Sequence, residues 1–165
     1  MKDFDEFLNR LLDKPSSDTV LRIKGEGKRI KGMARYTSEN YDFDYIKIAL
    51  DDNSHVIVVP SEKDVAYADK ALGEAEGVSD EMIGEKEVIY KGDKYLLENG
   101  NDKQKVLEVY VGKLDEDIEG EVEFSDYINE KDDSLVLSLG WITKTKERAD
   151  VLAQSIKVKD VEVVN

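Results

Sequence analysis

The segment Asp115–Asp126, D-E-D-I-E-G-E-V-E-F-S-D, has the residue spacing of a calcium-binding EF-hand loop. Gly120 stands at position 6, where such a loop turns sharply, and Val122 is the apolar residue at position 8. Carboxylates at positions 1, 3, 5 and 12 supply the oxygen ligands that hard divalent cations prefer, and here they are Asp115, Asp117, Glu119 and Asp126. The spacing therefore makes this loop a candidate cation site.

Other features of the same segment favour a simpler interpretation. Ile118 occupies a position that normally stays in water, and the side chain of Asp126 is shorter than the usual bidentate glutamate. The residues that follow, 127–133, are too few and too polar for an exit helix, and no second loop of this kind accompanies the first. We therefore interpret the segment as an acidic turn before a strand at 121–128, with divalent-cation binding as the alternative.

Few residues of this chain suit catalysis. It contains no Cys and a single histidine, His55, which stands beside a turn at the start of a predicted strand. No serine lies in a G-x-S-x-G context, and Gly25-Glu26-Gly27-Lys28 lacks the spacing of a phosphate-binding loop and precedes a strand. We assign no catalytic, cofactor-binding or metal residue and predict a protein that is not an enzyme and needs no cofactor.

The charge of the chain is large and uneven. Its formal net charge is −14, from 24 Lys and Arg against 38 Asp and Glu, which predicts no nucleic-acid partner. Between residues 22 and 35, however, six basic residues stand against one acid, Glu26: Arg22, Lys24, Lys28, Arg29, Lys31 and Arg35. We interpret this segment as the solvated face and edge of a β-hairpin. The alternative is a site for an anion or an acidic partner, including the acidic half of a second copy.

The sequence also predicts where the protein resides. No stretch approaches the roughly 18–20 apolar residues that a membrane-spanning helix needs. The first twelve residues, M-K-D-F-D-E-F-L-N-R-L-L, are acidic where a secretory signal is basic. We therefore predict a cytoplasmic location and no membrane partner, and the absence of Cys agrees with a reducing compartment.

Two helices are expected from the apolar pattern and the capping residues. Residues 3–13 place apolar side chains at i, i+3, i+4, i+7 and i+8, which is one face of an amphipathic helix: Phe4, Phe7, Leu8, Leu11 and Leu12. Residues 61–72 begin with Ser61 as a possible N-cap and are followed by Gly73, which predicts a short central helix. Residues 73–84, rich in Glu, Asp and Gly, are expected to form a linker or a long loop.

Most of the remaining chain has the pattern of strands. Short β-branched and aromatic runs flank Gly or Asp/Asn/Ser turns at 20–24, 29–36, 45–50, 55–59, 87–91, 94–97, 105–111, 120–128, 134–139 and 155–164. Their alternation predicts an antiparallel sheet with one solvated face. The expected fold is α+β, mainly antiparallel β as a meander or partly open barrel, with the N-terminal helix and the short central helix.

The two halves of the chain share a faint pattern. F-D-Y-I-K-I-A-L-D-D-N-S-H-V-I-V-V, from Phe43, aligns with F-S-D-Y-I-N-E-K-D-D-S-L-V-L-S-L, from Phe124, with 81 residues between Asp51-Asp52 and Asp132-Asp133. The interpretations are a duplicated β-meander and chance similarity in an Asp-rich chain. We predict a single compact unit, 1–165, in which two similar β-rich halves would be 1–75 and 82–165.

The second half resembles a known family. Ile83–Leu97 (I-G-E-K-E-V-I-Y-K-G-D-K-Y-L-L), Gly120–Ile128 (G-E-V-E-F-S-D-Y-I), Leu135–Gly140 (L-V-L-S-L-G) and Lys146–Ile156 (K-E-R-A-D-V-L-A-Q-S-I) are similar to bacterial domains of the unknown-function family numbered 4178 (DUF4178). The resemblance covers roughly the last 80 residues. It implies a small β-rich bacterial domain and transfers no catalytic residue.

The function predicted from the sequence is a non-enzymatic interaction or structural module. Its expected partner is another protein or a second copy of the chain, through sheet faces or a contact between basic and acidic surfaces. Binding of a divalent cation by the loop 115–126 remains the alternative function.

Overall fold

The computed structural model describes residues 2–164, which form one helix of 11 residues and twelve strands. The helix is α1 (Lys2–Leu12). The strands are β1 (Val20–Ile23), β2 (Glu26–Ser38), β3 (Asp44–Leu50), β4 (His55–Val59), β5 (Asp64–Ala68), β6 (Ala71–Gly73), β7 (Glu87–Tyr90), β8 (Asp93–Val111), β9 (Val122–Asn129), β10 (Leu135–Ile142), β11 (Asp150–Ile156) and β12 (Val161–Val164). The predictions of a mainly antiparallel β protein and an N-terminal amphipathic helix are confirmed.

Eight of the strands close into a barrel. Their order is β2-β3-β4-β5-β11-β10-β9-β8, and β8 pairs again with β2. Every pairing is antiparallel, and the closing pair runs from Met33 opposite Val111 to Ser38 opposite Gln104, with two bulges. The prediction of a meander or partly open barrel was wrong in this respect, because the sequence pattern does not reveal that two distant strands meet. Closure removes two free edges that an open sheet would expose.

The barrel consists of two consecutive four-stranded meanders, β2–β5 and β8–β11. Each begins with a hairpin that extends beyond the barrel, β1–β2 or β7–β8, and both hairpins turn through a Lys-Gly pair with positive φ. The equivalent turns at Asp52 and Asp132 also match, since each aspartate accepts hydrogen bonds from the backbone and the hydroxyl of the serine two residues later. The matching aspartates, Asp52 and Asp132, are one position out of step with the sequence alignment, which pairs Asp51 with Asp132. A common origin of the halves stays a prediction.

Helix α1 covers the outer face of the first meander. Phe4, Phe7 and Leu11 are buried, and they belong to one apolar cluster with side chains such as Ile46 and Ile48 of β3. Strand β3 is enclosed on both faces, because its alternate side chains point toward the barrel axis. Within residues 2–164, no helix is long and apolar enough to cross a bilayer.

The central helix predicted at 61–72 does not form. A short 3-10 turn, Pro60–Glu62, ends at Lys63 in the left-handed conformation, and the chain continues as β5 and β6. Strand β5 pairs with β4 on one side and β11 on the other, and Val65 and Ala66 are buried on opposite faces of the sheet. Hydrogen bonding and burial on both sides outweigh the modest helix propensity of this segment.

The segment 73–84, expected to form a linker or a long loop, is a long loop after the end of β6, with one 3-10 turn at Asp80–Met82, and it is packed against the barrel. Ala75 and Val78 are 2% exposed and cover the outer face of the second meander, where they lie in one cluster with Tyr127, Leu137 and Leu139. This segment therefore covers the outer face of the second meander, as α1 covers that of the first. Because the segment is rich in acidic residues and glycine, its sequence did not indicate that Ala75 and Val78 are buried.

We expect Leu11→Ala to lower the free energy of unfolding by about 3 kcal/mol, because the substitution leaves a cavity between α1 and the barrel. Urea unfolding followed by fluorescence of Trp141 measures the change. The matched control is Arg10→Ala on the exposed face of the same helix. Equal small effects of both substitutions would contradict the packing of α1 described above.

Candidate functional site

The acidic loop after β8 lies across one mouth of the barrel. Ile118 is 2% exposed and packs with Ala34, Tyr36 and Tyr45, whose side chains point toward the barrel axis. The hydroxyl of Tyr36 donates a hydrogen bond to the backbone carbonyl of Glu119. The residue that fitted a cation loop least well, Ile118, is therefore the apolar anchor that fixes the loop in place.

The four carboxylates of the candidate cation site have separate partners. Lys144 lies 3.7 Å from Asp115, the backbone N–H of Lys113 donates to Asp117, and Lys47 pairs with Glu119. Asp126 accepts a hydrogen bond from the hydroxyl of Ser138 at 2.7 Å. Among residues 2–164 there is no group of three or more Asp, Glu or His side chains that could hold a metal ion. The structure thus does not bring Asp115, Asp117, Glu119 and Asp126 together.

The loop approaches β2 so closely that glycine is required. A Cβ atom on Gly32 would lie 2.8 Å from the carbonyl oxygen of Asp117 and 2.9 Å from Cγ1 of Ile118. A Cβ atom on Gly112, which also has positive φ, would lie 2.9 Å from the carbonyl oxygen of Lys31. The loop and the barrel mouth are therefore fitted to each other through backbone contact.

His55, Lys47 and Glu119 meet at this closed mouth. Lys47 is 9% exposed, and its ammonium group lies 2.6 Å from a carboxylate oxygen of Glu119. Burial, assisted by the charge of Lys47, lowers the pKa of His55 to about 4, so its imidazole is neutral at pH 7. Nδ1 of His55 has no hydrogen-bond partner in the described part of the chain. A histidine of such low pKa is a weak general base.

A buried polar network joins β2, β3 and β8 where the barrel closes. Asp102 is 1% exposed and accepts hydrogen bonds from the hydroxyl of Ser38 at 2.6 Å and the backbone N–H of Asn40 at 3.0 Å. The amide of Gln104 donates to Asp102 at 3.2 Å and accepts a hydrogen bond from the hydroxyl of Tyr45 at 2.6 Å. Sequence analysis did not identify these residues, because nothing in their spacing distinguishes them from other polar residues of strands.

Asp126 of β9 lies near this network. Burial raises the pKa of its carboxyl group to about 6, and the nearby carboxylates of Glu98 and Asp102 add to the shift against the hydrogen bond from Ser138. A buried carboxyl group of this kind holds its proton in mildly acidic solution. Burial also raises the pKa values of Tyr36 and Tyr45, whose hydroxyl groups are hydrogen-bonded inside the same barrel.

The basic segment is distributed over different partners. Arg22 forms a salt bridge of 3.2 Å with Glu162 of β12, and Lys28 pairs with Asp52. The Nε–H group of Arg35 donates to the hydroxyl of Tyr110 at 2.9 Å. Lys24, Arg29 and Lys31 are exposed. The segment thus supplies contacts between strands and a solvated face, whereas the outer edge of its hairpin is covered by β12. Its use by an anion stays untested.

A second polar cluster, which the sequence did not reveal, holds the segment between β6 and β7. Asp150 is fully buried and accepts hydrogen bonds from Arg148 and from the backbone N–H groups of Ala75 and Gly140. Arg148 also donates to the carbonyl oxygen of Val78 at 3.1 Å. An open cleft of about 640 Å³ lies beside it, lined by Glu74, Ser79, Asp80, Glu81, Lys146, Glu147 and Arg148. The arginine is committed to the fold and is not available to a ligand.

No protein-family model matches the chain, and no curated protein or solved structure is significantly similar to it. The resemblance of the second half to family 4178 therefore stays a prediction. Conclusions about the site depend on the geometry described above.

We expect Asp102→Ala to lower the free energy of unfolding by about 3 kcal/mol, because the buried hydroxyl of Ser38, the buried amide of Gln104 and the backbone N–H of Asn40 lose their acceptor. Urea unfolding measures the loss, and Asp133→Ala in an exposed turn is the matched control. Hydrogen exchange should also become faster in β2 and β8 than in β4 and β10. An equal increase in all four strands would contradict a specific role in closing the barrel.

His55 and Asp126 should affect stability with opposite dependence on pH. The folded-state pKa of His55 lies below its unfolded value, so its contribution to stability is lost as pH falls from about 6.5 to 4. The folded-state pKa of Asp126 lies above its unfolded value, so its contribution is lost as pH rises from about 4 to 6. In the intact protein the two effects oppose each other.

Single variants separate the two effects. Relative to the unsubstituted protein, Asp126→Asn should gain on the order of 2–3 kcal/mol as pH rises from 4 to 6, and His55→Gln should gain a similar amount as pH falls from 6.5 to 4. Urea unfolding at half-unit steps of pH measures both differences. A difference that stays constant across this range would contradict the environment assigned to the substituted group.

Proposed function

We propose that this chain is a non-enzymatic protein-interaction module that accepts a β-strand of another polypeptide at β7. The single observation that carries the proposal is the free edge of this strand, since β7 pairs with β8 and with no other strand of residues 2–164. Addition of a strand to such an edge is a common mode of peptide recognition.

The backbone of β7 supports the proposal because half of its polar groups point away from the sheet. The backbone N–H of Leu97 donates to the carbonyl oxygen of Lys86, which identifies 86 and 97 as a hydrogen-bonded pair. Because such pairs alternate in antiparallel sheets, Val88 and Tyr90 bond to β8, and Glu87 and Ile89 present their N–H and C=O groups outward.

Side chains on the same hairpin supply an apolar contact. Ile89 is 55% exposed and Leu96 is 41% exposed, and the register of β7 and β8 places them on one face as diagonal neighbours. Natural proteins usually protect edge strands with charge or proline. An exposed isoleucine in the middle of an uncovered edge therefore favours binding of another strand over protection from it.

The engagement of the titratable residues supports the non-enzymatic part of the proposal. Lys47 and Glu119 pair with each other, and Asp102 and Asp150 accept hydrogen bonds that hold the fold together. The alternative of cation binding has no comparable support, since the carboxylates of the loop 115–126 have separate partners. The cytoplasmic location stays a prediction from the sequence.

A photo-crosslinking residue, benzoyl-phenylalanine, at position 96 tests the proposal. We expect an adduct with a second polypeptide whose yield falls roughly tenfold in the additional presence of Ile89→Pro, because proline removes an outward N–H group and disturbs the edge contact. Proline at 89 leaves the ladder between β7 and β8 intact, since that N–H group does not bond to β8. Purified protein and extract of the native cells are both irradiated.

The control places the same crosslinking residue at position 107, where the natural Leu107 is 57% exposed on β8. It should give no adduct that depends on Ile89. Absence of any adduct from position 96, or an equal yield with and without Ile89→Pro, would overturn the proposed function.

A further inference from the structure

We infer that the strand accepted by β7 belongs to a cationic segment of another protein, in which lysine or arginine alternates with an apolar residue on the side that meets Ile89. The inference rests on the proposed function and names the kind of partner. It depends on three properties of the described residues: an apolar patch beside β7 that lies outside the core, an excess of carboxylates around this patch, and the lack of a cationic free strand within residues 2–164.

Four apolar side chains form a patch on one face of the sheet next to β7. Leu96 lies directly opposite Ile128, and Ile128 lies directly opposite Val136, so the three side chains form a row across β8, β9 and β10. Ile89 is the diagonal neighbour of Leu96 at the edge. None of the four belongs to an apolar cluster of the described residues. We call Ile89, Leu96, Ile128 and Val136 the edge patch.

Carboxylates gather around the edge patch. Glu87 and Glu98 share its face, because side chains alternate along β7 and β8. The ammonium group of Lys94 lies 3.7 Å from Glu87 and 3.9 Å from Glu130, which follows β9. One lysine therefore serves two glutamates at this end of the hairpin.

Negative charge also accumulates where the edge patch meets the barrel. Burial raises the pKa of Glu98, and the charge of Glu62, in the turn after β4, adds to the shift. Burial, with Glu98 nearby, raises the pKa of Asp126 to about 6. No salt bridge joins these three carboxylates to a basic side chain of residues 2–164. A cationic residue of a partner would therefore reduce repulsion that the chain itself leaves uncompensated.

The other lysines of the hairpin are directed away from the edge patch. Lys86 precedes Glu87 and therefore alternates to the opposite face. Lys91 lies in the turn with positive φ, and its ammonium group packs over the ring of Tyr90, 5.6 Å from the ring centre. Tyr90 is buried on that opposite face. Neither lysine forms a salt bridge with Glu87 or Glu98 in the described part of the chain.

The strands of this chain do not supply a cationic free edge. A second β7 would bring another Glu87 into the contact in every register. Strand β12, at the other end of the sheet, carries Glu162 between two buried valines, and β6 has no basic residue. The basic side chains of the first hairpin lie on β1 and β2, which are paired on both sides. The cationic strand is therefore expected from a different protein.

The outward backbone groups of β7 determine where the partner's residues lie. Glu87 and Ile89 present their N–H and C=O groups outward, so the residues opposite them form the new hydrogen bonds. An apolar residue opposite Ile89 extends the edge patch, and a lysine or arginine two positions away lies opposite Glu87. The next alternate position lies on the side of Glu98, which follows Leu96 on the same face. The expected pattern is apolar, any residue, basic, any residue, basic, in either strand direction.

Peptide binding to the unsubstituted chain tests the inference. The probe is a fluorescein-labelled peptide, blocked at both ends, of sequence K-T-K-T-I-T-K-T-K, whose symmetric pattern suits either strand direction. Peptides with glutamine or glutamate in place of every lysine are compared with it. Fluorescence anisotropy at low salt should show the lysine peptide binding at least about tenfold tighter than the glutamine peptide. This preference should shrink as salt rises, because exposed ion pairs are screened.

Charge-reversal variants locate the contact on the chain. Glu87→Lys and Glu98→Lys should each weaken binding of the lysine peptide about fivefold and strengthen binding of the glutamate peptide, since each replaces an attractive contact by a repulsive one. Asp133→Lys, in an exposed turn outside β7 and β8, makes the same change in net charge and is the matched control. It should leave the preference unchanged, which separates contact at β7 from general attraction to a chain of net charge −14.

The outcomes separate this inference from the proposed function. Loss of the lysine preference in Glu87→Lys and Glu98→Lys, but not in Asp133→Lys, supports a cationic partner at β7. Equal binding of the three peptides, abolished in each case by Ile89→Pro, overturns the inference and leaves the proposed function standing. Binding that is insensitive to Ile89→Pro, or no binding of any peptide, also overturns it, and crosslinking from position 96 then judges the proposed function separately. Self-association that Ile89→Pro abolishes would identify a second copy as the occupant and overturn the inference.

Discussion

The pairing of β2 with β8 is the constraint on which the rest of the structure depends. It joins strands from different halves of the chain and turns two meanders into one closed barrel. Asp102 secures the pairing from inside, because donors of β2, of the loop after it and of β8 itself share its two oxygens. A shift of either strand would leave buried polar groups unpaired, so the network also favours one register for a seam that contains bulges.

Closure of the barrel also determines where the candidate site residues lie. It brings the loop after β8 back over the barrel mouth, where Ile118 enters the core and Glu119 meets Lys47. The residues that resembled a cation site or a catalytic histidine therefore contribute to a plug, and the perturbed pKa values of His55 and Asp126 result from burial in a small barrel. The shifted pKa values of these two residues are thus a consequence of the fold, as in many structural networks.

One edge of the sheet, that of β7, is not covered by another strand of the described residues. Each meander carries an extending hairpin, and β12 covers one of them while β7 remains uncovered within the described residues. The outward backbone groups and the exposed Ile89 coincide on that edge. These features together place the proposed interaction at β7, a location that charge and composition alone did not indicate.

Elements whose signal is local could be predicted from the sequence. The spacing of Phe4, Phe7 and Leu11 predicted α1, and the turns at Asp51-Asp52 and Gly92-Asp93 predicted hairpins, because periodicity and turn chemistry act over a few residues. Features that depend on distant partners emerged only in the folded protein. Residues 64–68 and 71–73 became strands because β4 and β11 pair with them, and the barrel closed because β2 met β8. The part of the acidic segment that precedes β9 became a plug because Ile118 is buried in the barrel while the carboxylates have separate partners.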